Sequence, residues 1–428
     1  MNRMQWQGLA LATAVTLSQP ATADGGQREM TLDEVLAHAE EHAPLLSVAR
    51  QRARRGDAER TAAASFFPSN PTLALGGGPR IGGGVSADVE AGVTQELEIA
   101  GEPGLRRDLA ERRAGTFDAE LATAQFDVHR IVHVTFHSAL IAVDAERGAE
   151  ETLKYAEQLL EIAAKQVQAG EESPLAGKLA RGEVSRAKEQ QLGAQQASRA
   201  ARIELALIAG MPAGTEVIPK GKLPPPLAAA SLESLIALAR EKQPELRFRR
   251  AEVEAAKAQA ALADREAFPR PSLGVGYSAE SLGAGANTTQ HIILGTIEVP
   301  LPFWRQNDGE RAHAQVELGI AEAEERAVSL TLENRIARAK ARVDADAKRI
   351  ELHVKEVLPS VDENLRLIQQ AFALGDADIT AVMLARERLI AERREALDAY
   401  RDYFAAVAEL EAEVGAEVIA DHPEGAAP

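Results

Sequence analysis

Apolar and polar residues alternate along one stretch of the chain. Between Val85 and Ile99 every charged residue stands at an even position, and the odd positions are uncharged and apolar except for Gln95. A period of two is typical of a β-strand with one apolar and one polar face. Weaker alternation predicts three more strands, at about 71–77, 271–280 and 291–300. We therefore predict four β-strands, of which the second covers about 85–99.

The order of the predicted elements occurs twice. Residues 31–37 (TLDEVLA) return at 231–237 (SLESLIA), and the triplet LAR at 179–181 returns at 384–386. Preserved order with a slowly drifting offset indicates a tandem duplication. Each half predicts two short helices, then two strands, then a long helical hairpin.

The duplication defines the predicted domain organisation. A stretch rich in Gly and Pro separates the halves and is typical of a linker. The regions are a first half at 24–210, a linker at 211–230, a second half at 231–415 and a flexible tail at 416–428. The helical hairpins cover about 103–208 and about 307–414. Their longer arms would reach roughly 100 Å at 1.5 Å per residue, which no ordinary globular domain requires.

The four predicted strands need a covering for their apolar face. A half-buried sheet in a soluble protein would show the same alternation, but no other stretch predicts a layer to cover it. In a membrane a sheet has to close, because lipid cannot satisfy unpaired strand edges. Three copies would supply twelve strands, the smallest barrel here with a lumen. Aromatic residues where helices meet strands would suit a lipid interface, and they are Phe66, Phe67, Phe268, Phe303 and Trp304.

The N-terminal residues predict export. Arg3 precedes a short apolar stretch at 8–17, and the small residues Ala21 and Ala23 provide a cleavage site. This order is typical of a secretory signal peptide, which we predict at 1–23. The apolar stretch is too short to span a bilayer as a helix, and no later stretch reaches about 20 apolar residues.

Composition narrows the function classes. The formal net charge of −17 disfavours nucleic acid as a partner, because nucleic-acid binding normally uses basic patches. The chain has no cysteine, which excludes disulfides and is compatible with an oxidising compartment. Segments rich in Ala, Glu and Arg favour long helices over a compact enzyme core. No nucleophile elbow, phosphate loop or zinc motif is present, so we predict neither an enzyme nor a cofactor.

Two glycines, Gly170 and Gly375, mark the hairpin turns at the same place in both halves. With this duplicated order of elements, the chain resembles the TolC family of outer-membrane efflux proteins over essentially its whole mature length. The resemblance implies a mainly α fold with a small β part, built from tandem-duplicated long antiparallel helical hairpins and four transmembrane β-strands per protomer. Three protomers would form a 12-stranded β-barrel in the outer-membrane lipid, continued by an α-helical tunnel in the periplasm.

The same resemblance implies partners. The homotrimer would be the exit duct of a tripartite efflux system, with a periplasmic adaptor (a membrane fusion protein) and an inner-membrane efflux pump. Two other functions are open within the family, namely drug or small-molecule efflux and type I secretion. A periplasmic helical adaptor or a structural coiled-coil protein is the alternative from another class.

Two junction motifs carry a finer resemblance. The stretches at 94–101 (TQELEIAG) and 300–310 (PLPFWRQNDGE) are similar to strand-to-helix junctions of the heavy-metal efflux branch. That branch works with resistance-nodulation-division pumps and exports cobalt, zinc, cadmium, copper or nickel. The alternative interpretation is that both motifs only shape the junction.

The hairpin tips are the predicted contact with the adaptor. Some family members carry pore-constricting aspartates six and nine residues past the hairpin glycine, whereas this chain has Ala176, Leu179, Ala381 and Leu384 there. Acidic residues lie closer to the turns instead, either at a gate or as N-terminal helix caps. The candidate tip residues are Gly170, Glu171, Glu172, Gly375, Asp376 and Asp378.

Three histidines form a stripe on the first long helix. His129, His133 and His137 follow one another at intervals of four residues, and such a spacing can hold a metal ion. Phe126 and Leu140 flank the same face, which also fits an interhelical seam of neutral histidines. No cysteine or acidic residue within the stripe completes a metal site. The stripe therefore supports a metal-site hypothesis beside a packing interpretation.

Overall fold

The computed structural model describes residues 26–81, 85–170, 173–227, 229–281 and 289–418. The predicted signal peptide at 1–23 and most of the predicted tail lie outside the described residues. The described part is mainly helical with a small β part, as the sequence predicts. No described helix is both long enough and apolar enough to cross a membrane.

Both halves have the same order of elements. The first half consists of β1 (Gln27–Met30), α1 (Leu32–His42), α2 (Pro44–Ala63), β2 (Thr72–Ile81), β3 (Val85–Glu96), α3 (Glu102–Ala169) and α4 (Pro174–Ile208). The second half follows β4 (Glu216–Pro219). It consists of α5 (Leu232–Lys242), α6 (Pro244–Arg265), β5 (Ser272–Ser281), β6 (Thr289–Glu298), α7 (Asp308–Leu352), a π-helical turn (His353–Val357), α8 (Leu358–Ala373) and α9 (Ile379–Val414).

The short helices begin in the same way in both halves. The Thr31 hydroxyl accepts a hydrogen bond from the Glu34 backbone at 3.3 Å, and the Glu34 carboxylate accepts one from the Thr31 backbone at 2.8 Å. Ser231 caps α5 through the backbone N–H three residues further on. Pro44 and Pro244 then begin α2 and α6, because a proline at the first turn leaves no helical hydrogen bond unmade.

The main sheet has four strands in the order β2-β3-β5-β6, and every neighbouring pair is antiparallel. The central contact, between β3 and β5, joins the two halves of the chain. The sheet therefore belongs to both halves, although each half supplies only one hairpin of strands.

Strand lengths differ from the predicted ones. The strand predicted at about 71–77 is longer and continues as β2 through Pro79 to Ile81. Proline is tolerated there because β2 lies at the edge of the sheet. The strand predicted at 85–99 ends at Glu96, and the strand predicted at 291–300 occupies Thr289–Glu298. The latter ends before Pro300, which has no N–H group for a strand ladder.

A second sheet was not predicted. The linker at 211–230 contains β4, which pairs in parallel with β1 near the start of the described chain. Gln27 lies opposite Glu216, and their side chains approach to 3.4 Å. A strand of four residues is too short for an alternation of apolar and polar residues to be recognised in the sequence. The described chain therefore has strands beyond the four that the pattern predicts.

The long helix predicted from 307 is interrupted. A π-helical turn at His353–Val357 separates α7 from α8, with the Leu358 N–H bonded to the His353 carbonyl. Pro359 follows directly and cannot donate to the carbonyl four residues earlier. The wider π turn accommodates this missing hydrogen bond. The corresponding part of α3 in the first half continues as α-helix.

Each half has its own core around the short helices. Val35, Leu46, Val132 and Leu205 are buried together in the first half, and β4 closes this cluster with Val217. The cluster of the second half is built on α7 and α9. Its largest fully buried members include Leu235, Leu246, Leu332, Ile336, Ile350 and Leu410.

Candidate functional site

The strand register gives the main sheet two different faces. Directly opposed residues in antiparallel strands lie on the same face. One row across the four strands consists of Leu75, Ala91, Tyr277 and Ile293, and the next of Leu73, Val93, Val275 and Gly295. Leu75 and Ile293 are 74% and 76% exposed in the single protomer. Among the described side chains, this face carries no Asp, Glu, Lys or Arg.

The opposite face is acidic. Its carboxylates are Asp88, Glu90, Glu96, Glu280 and Glu298. Ile292 and Leu294 lie on the same face, which is the irregularity visible in the sequence of β6. These carboxylates come from β3, β5 and β6, so the acidic face extends beyond β3 alone.

Both edges of the main sheet are open. Within the described residues β2 pairs only with β3, and β6 pairs only with β5. Open, apolar edge strands are a template for further pairing. A sheet of the same kind on each side would pair with both edges.

Exposed aromatic side chains gather where the strands meet the helices. Phe66 and Phe67 precede β2 and pack edge to face, with ring centroids 5.2 Å apart. Phe303 and Trp304 follow β6 and do the same at 6.0 Å. Trp304 is 90% exposed, so these rings are available to lipid rather than to the protein core.

The two junction motifs contain one duplicated backbone feature. Gly101, just before α3, has φ 89°, and Asn307, just before α7, has φ 60°. Both lie in the left-handed region, which glycine adopts freely and asparagine tolerates. The Asn307 side chain also donates to the Ala263 carbonyl at 3.0 Å. The sequence predicts a strand-to-helix junction at both places, but it does not predict that Gly101 and Asn307 share a left-handed conformation.

A buried ion pair stabilises the first junction. The Glu98 side chain is 1% exposed, and Arg106 donates to both of its oxygens at 2.6 and 2.8 Å. Arg270, from the second half, lies 3.7 Å from the same carboxylate. Arg106 also donates to the Ser65 carbonyl at 2.8 Å. These contacts support the interpretation that the motif at 94–101 shapes the junction.

The hairpin tips end their helices in the same way. Gly170 has φ 78° and Gly375 has φ 81°, so each closes its helix in a conformation that suits glycine. Asp378 accepts from the Ala381 N–H at 2.8 Å and caps α9, as the capping interpretation predicts. Asp376 instead uses its backbone N–H, which donates to the Ala371 carbonyl at 2.8 Å. Glu171 and Glu172 lie outside the described residues.

The two tips of one protomer pack against each other. Leu159 and Ala176 of the first hairpin share a buried cluster with Phe372 and Val382 of the second. Above this cluster the buried Arg386 donates to the Thr152 carbonyl and so ties α9 to α3. Burial lowers the pKa of Arg386 below its usual range.

The duplicated LAR triplet therefore serves two different functions. Arg386 is buried at the contact between the hairpins, whereas its equivalent, Arg181, is exposed. Exposed leucines surround the tips, including Leu374 at 78% and Leu175 at 61%. Such apolar surface on a single chain is typical of a surface that contacts another protein.

The histidine stripe lies in a seam between the two halves. The His137 ring stacks on Phe404 of α9, with centroids 3.8 Å apart, and is 5% exposed. Burial, with the nearby His129 and His137, lowers the pKa of His133 to about 4. The packing interpretation therefore describes His137 well, and His133 is a neutral imidazole at neutral pH.

An acidic side chain that was not among the predicted ligands lies beside His129 and His133. Glu417, from the segment after α9, places one carboxylate oxygen 2.5 Å from His129 Nε2 and 4.0 Å from His133 Nε2. The stripe contains no acidic residue, but the fold places Glu417 beside His129 although the two residues lie 288 positions apart in the chain. No sequence pattern could have indicated this contact, because Glu417 lies in the region predicted as a flexible tail.

Comparisons with known proteins fit this architecture. The family described as outer membrane efflux protein matches residues 35–211 and 235–416, which correspond to the two halves. No curated protein matches the sequence.

Among solved structures, the outer membrane protein VceC from Vibrio cholerae is similar with a TM-score of 0.70 and 16% identity, over 91% of this chain and 97% of that one. CusC is similar with a TM-score of 0.70 and 18% identity, over 90% and 92%. The open state of the Neisseria gonorrhoeae MtrE outer membrane channel gives 0.71 and 18%, over 91% and 90%.

At these identities the solved structures show the fold, whereas the family match covers most of both halves. Proteins of this family are transport ducts, not enzymes. The chain therefore belongs to the outer membrane efflux protein family, and it resides in the outer membrane with a long helical part in the periplasm.

Proposed function

We propose that the chain is one protomer of a homotrimeric exit duct that releases divalent heavy-metal cations through the outer membrane. The observation that carries this proposal is the four-stranded sheet with one uncharged face and one acidic face. An uncharged face suits contact with lipid, and an acidic face suits a water-filled passage for cations.

The open edges of the sheet support a trimer. Because β2 and β6 run antiparallel to their neighbours, the β2 edge of one protomer can pair antiparallel with the β6 edge of the next. Three four-stranded sheets joined in this way give a closed barrel of twelve strands. Closure satisfies every backbone group that lipid could not.

The acidic face supports cations as cargo. Asp88, Glu90 and Glu280 would line the lumen together with Glu96 and Glu298, and three protomers would repeat each carboxylate three times. Carboxylates in a narrow passage raise the local concentration of cations and exclude anions. The similarity of the junctions at 94–101 and 300–310 to the heavy-metal branch points to the same cargo.

The helices would continue the passage into the periplasm. The hairpin tips near Gly170 and Gly375, with Glu171, Glu172, Asp376 and Asp378, would contact a periplasmic adaptor, and an inner-membrane pump would supply the energy. The duct itself would be passive. Opening would separate the tips, and the π-helical turn before Pro359 offers a place for the second hairpin to bend.

A strain that lacks this protein tests the cargo. We expect the deletion to increase sensitivity to zinc, cobalt, cadmium, copper or nickel, and the restored gene to reverse that sensitivity. Unchanged metal tolerance combined with sensitivity to drugs would instead favour drug efflux.

The purified protein tests the assembly. We expect native mass spectrometry in detergent to give a trimer, and we expect the trimer to conduct ions in a planar bilayer. A soluble periplasmic monomer would contradict the duct and favour a helical adaptor.

A further inference from the structure

His129, His133 and Glu417 meet at one point on the surface of α3. The two histidine rings lie one helical turn apart with centroids at 4.7 Å, and Glu417 reaches them from the far end of the chain. One ligand atom from each of the three side chains lies within 4.8 Å of the other two. This is the group of potential metal ligands that the described residues contain.

The backbone positions Glu417 for this contact. Gly415 ends α9 with φ 75°, and an added Cβ atom would approach the Gln243 Cα to 2.5 Å. The position therefore requires glycine for its conformation and for the close approach of the turn between α5 and α6. The turn sends the chain back toward α3.

Both neighbours of Glu417 are held in place. Ala416 and Val418 pack against the core of the second half, and the Val418 N–H donates to the Glu411 carboxylate at 3.3 Å. The region predicted as a flexible tail from 416 thus stays with the body of the protein as far as the described chain extends. The Glu417 side chain therefore reaches the histidines from a backbone that is held in place on both sides.

We propose that His129, His133 and Glu417 form a binding site for a divalent cation of the zinc type, resident in the periplasmic part of the protein. Two imidazole nitrogens and one carboxylate are a ligand set that zinc uses, with a fourth position for water. Ligand atoms at about 2.0–2.1 Å from a tetrahedral zinc lie roughly 3.3 Å apart. The distances of 2.5 and 4.0 Å from the Glu417 oxygen bracket that separation.

His137 does not take part. Its Nδ1 lies 2.8 Å from the His133 carbonyl, and its ring is stacked on Phe404. The site therefore uses the half-buried end of the stripe, where the exposed Glu417 leaves a route for the cation, and the buried end contributes packing. A bound cation would tie the segment after α9 to α3 and so join the end of the second half to the first.

The site is separate from the proposed cargo path, because it lies in a seam between helices and not on the acidic face of the strands. Its presence or absence does not depend on what the duct exports. A chain that exports drugs could hold the same ion.

Calorimetric titration tests the site directly. Full-length protein purified without a histidine tag and stripped with a chelator is titrated with zinc chloride. We expect one ion per protomer, and we expect both His129→Ala and Glu417→Gln to weaken binding at least tenfold. Equal affinity in wild type and Glu417→Gln would overturn the proposal, as would the absence of a stoichiometric site in the wild type.

His42→Ala is the matched control. His38 and His42 have the same spacing and stack at 4.4 Å on α1, but they do not belong to the three-ligand group. We expect this variant to bind zinc like the wild type, and an equal loss of binding would overturn the assignment. Hydrogen exchange gives a second readout, since zinc should slow exchange at Val418 in the wild type and leave it unchanged in Glu417→Gln.

Discussion

Arg106 donates two hydrogen bonds to the carboxylate of Glu98 at the junction between β3 and α3. Removing one partner of a buried pair leaves a charge with too few contacts, at a cost of about 3 kcal/mol. We therefore expect Arg106→Ala to lower the thermal stability of the protein markedly. Arg112→Ala, which breaks an exposed ion pair with Asp108, should change it little.

The double variant Glu98→Gln, Arg106→Ala separates this effect from a general loss of packing. We expect it to be more stable than Arg106→Ala alone, because the buried charge of Glu98, which Arg106→Ala leaves with Arg270 as its ion-pair partner, is gone. A double variant as unstable as the sum of the two single variants would show that the residues act independently.

The left-handed residues before the long helices give a second prediction. Gly101→Ala should destabilise the protein by roughly 1–2 kcal/mol, because an alanine side chain disfavours that conformation although no atom lies near the added Cβ. Gly101→Asn should cost less, since Asn307 occupies the equivalent place in the second half. Thermal unfolding followed by circular dichroism ranks the three proteins, and a lower stability for the asparagine variant would contradict this explanation.

The acidic face of the strands should control ion selectivity. The combined variant Asp88→Asn, Glu90→Gln removes two carboxylates per protomer from the proposed lumen without changing side-chain size. We expect the reversal potential in a salt gradient to shift toward zero, which indicates weaker preference for cations. As a control, Glu363→Gln neutralises an exposed helical carboxylate paired with Arg366 and should leave the reversal potential unchanged.

The π-helical turn should matter for opening. Pro359→Ala restores a backbone donor, so we expect the helix to straighten, gain stability and open less readily. Metal tolerance of the complemented deletion strain should fall while adaptor binding persists. Pro174→Ala provides the control, because a proline at the first turn of α4 leaves no helical hydrogen bond unmade. Full tolerance in Pro359→Ala would show that the turn is not a hinge.

One pH dependence follows from Asp346 in α7. Burial, with Asp402 nearby, raises the pKa of Asp346 above its usual range. Ionised Asp346 therefore lowers the free energy of unfolding at pH values above its pKa in the folded state. This destabilisation disappears as the pH falls below the pKa of Asp346 in the unfolded state. We expect Asp346→Asn to raise the unfolding temperature at pH 7 and to lose this advantage below about pH 4.

Asp344→Asn is the matched control for that prediction. Its carboxylate accepts from Lys340 at 2.6 Å, so its removal should lower stability by about 0.5 kcal/mol at pH 7. A gain in stability for both variants would indicate a general effect of reducing the negative charge.

The sequence predicts the parts of this fold that repeat a pattern over many residues. The alternation along β3 breaks only at Gln95, and the composition typical of long helices extends along both hairpins. The cap at Asp378 was one of the two interpretations that residue type and position left open, and the structure shows its hydrogen bond. These features depend on neighbours close in sequence.

Features that depend on residues far apart in the chain could not be predicted from the sequence. β4 is recognisable only beside β1, and Glu417 is a ligand candidate only because Gly415 turns it toward His129. Pro359 stands inside the hairpin predicted at about 307–414, for which no interruption was predicted from the sequence. The wider turn shows that the proline should have marked an interruption.

The pairing of β1 with β4 has a consequence for how the protein is made. The two strands lie 189 positions apart, with the whole first half between them. With the signal peptide predicted at 1–23, β1 would enter the periplasm first and would wait for its partner until the linker had crossed the inner membrane. The first half would then gain the pairing between β1 and β4 only after export had reached the start of the second half.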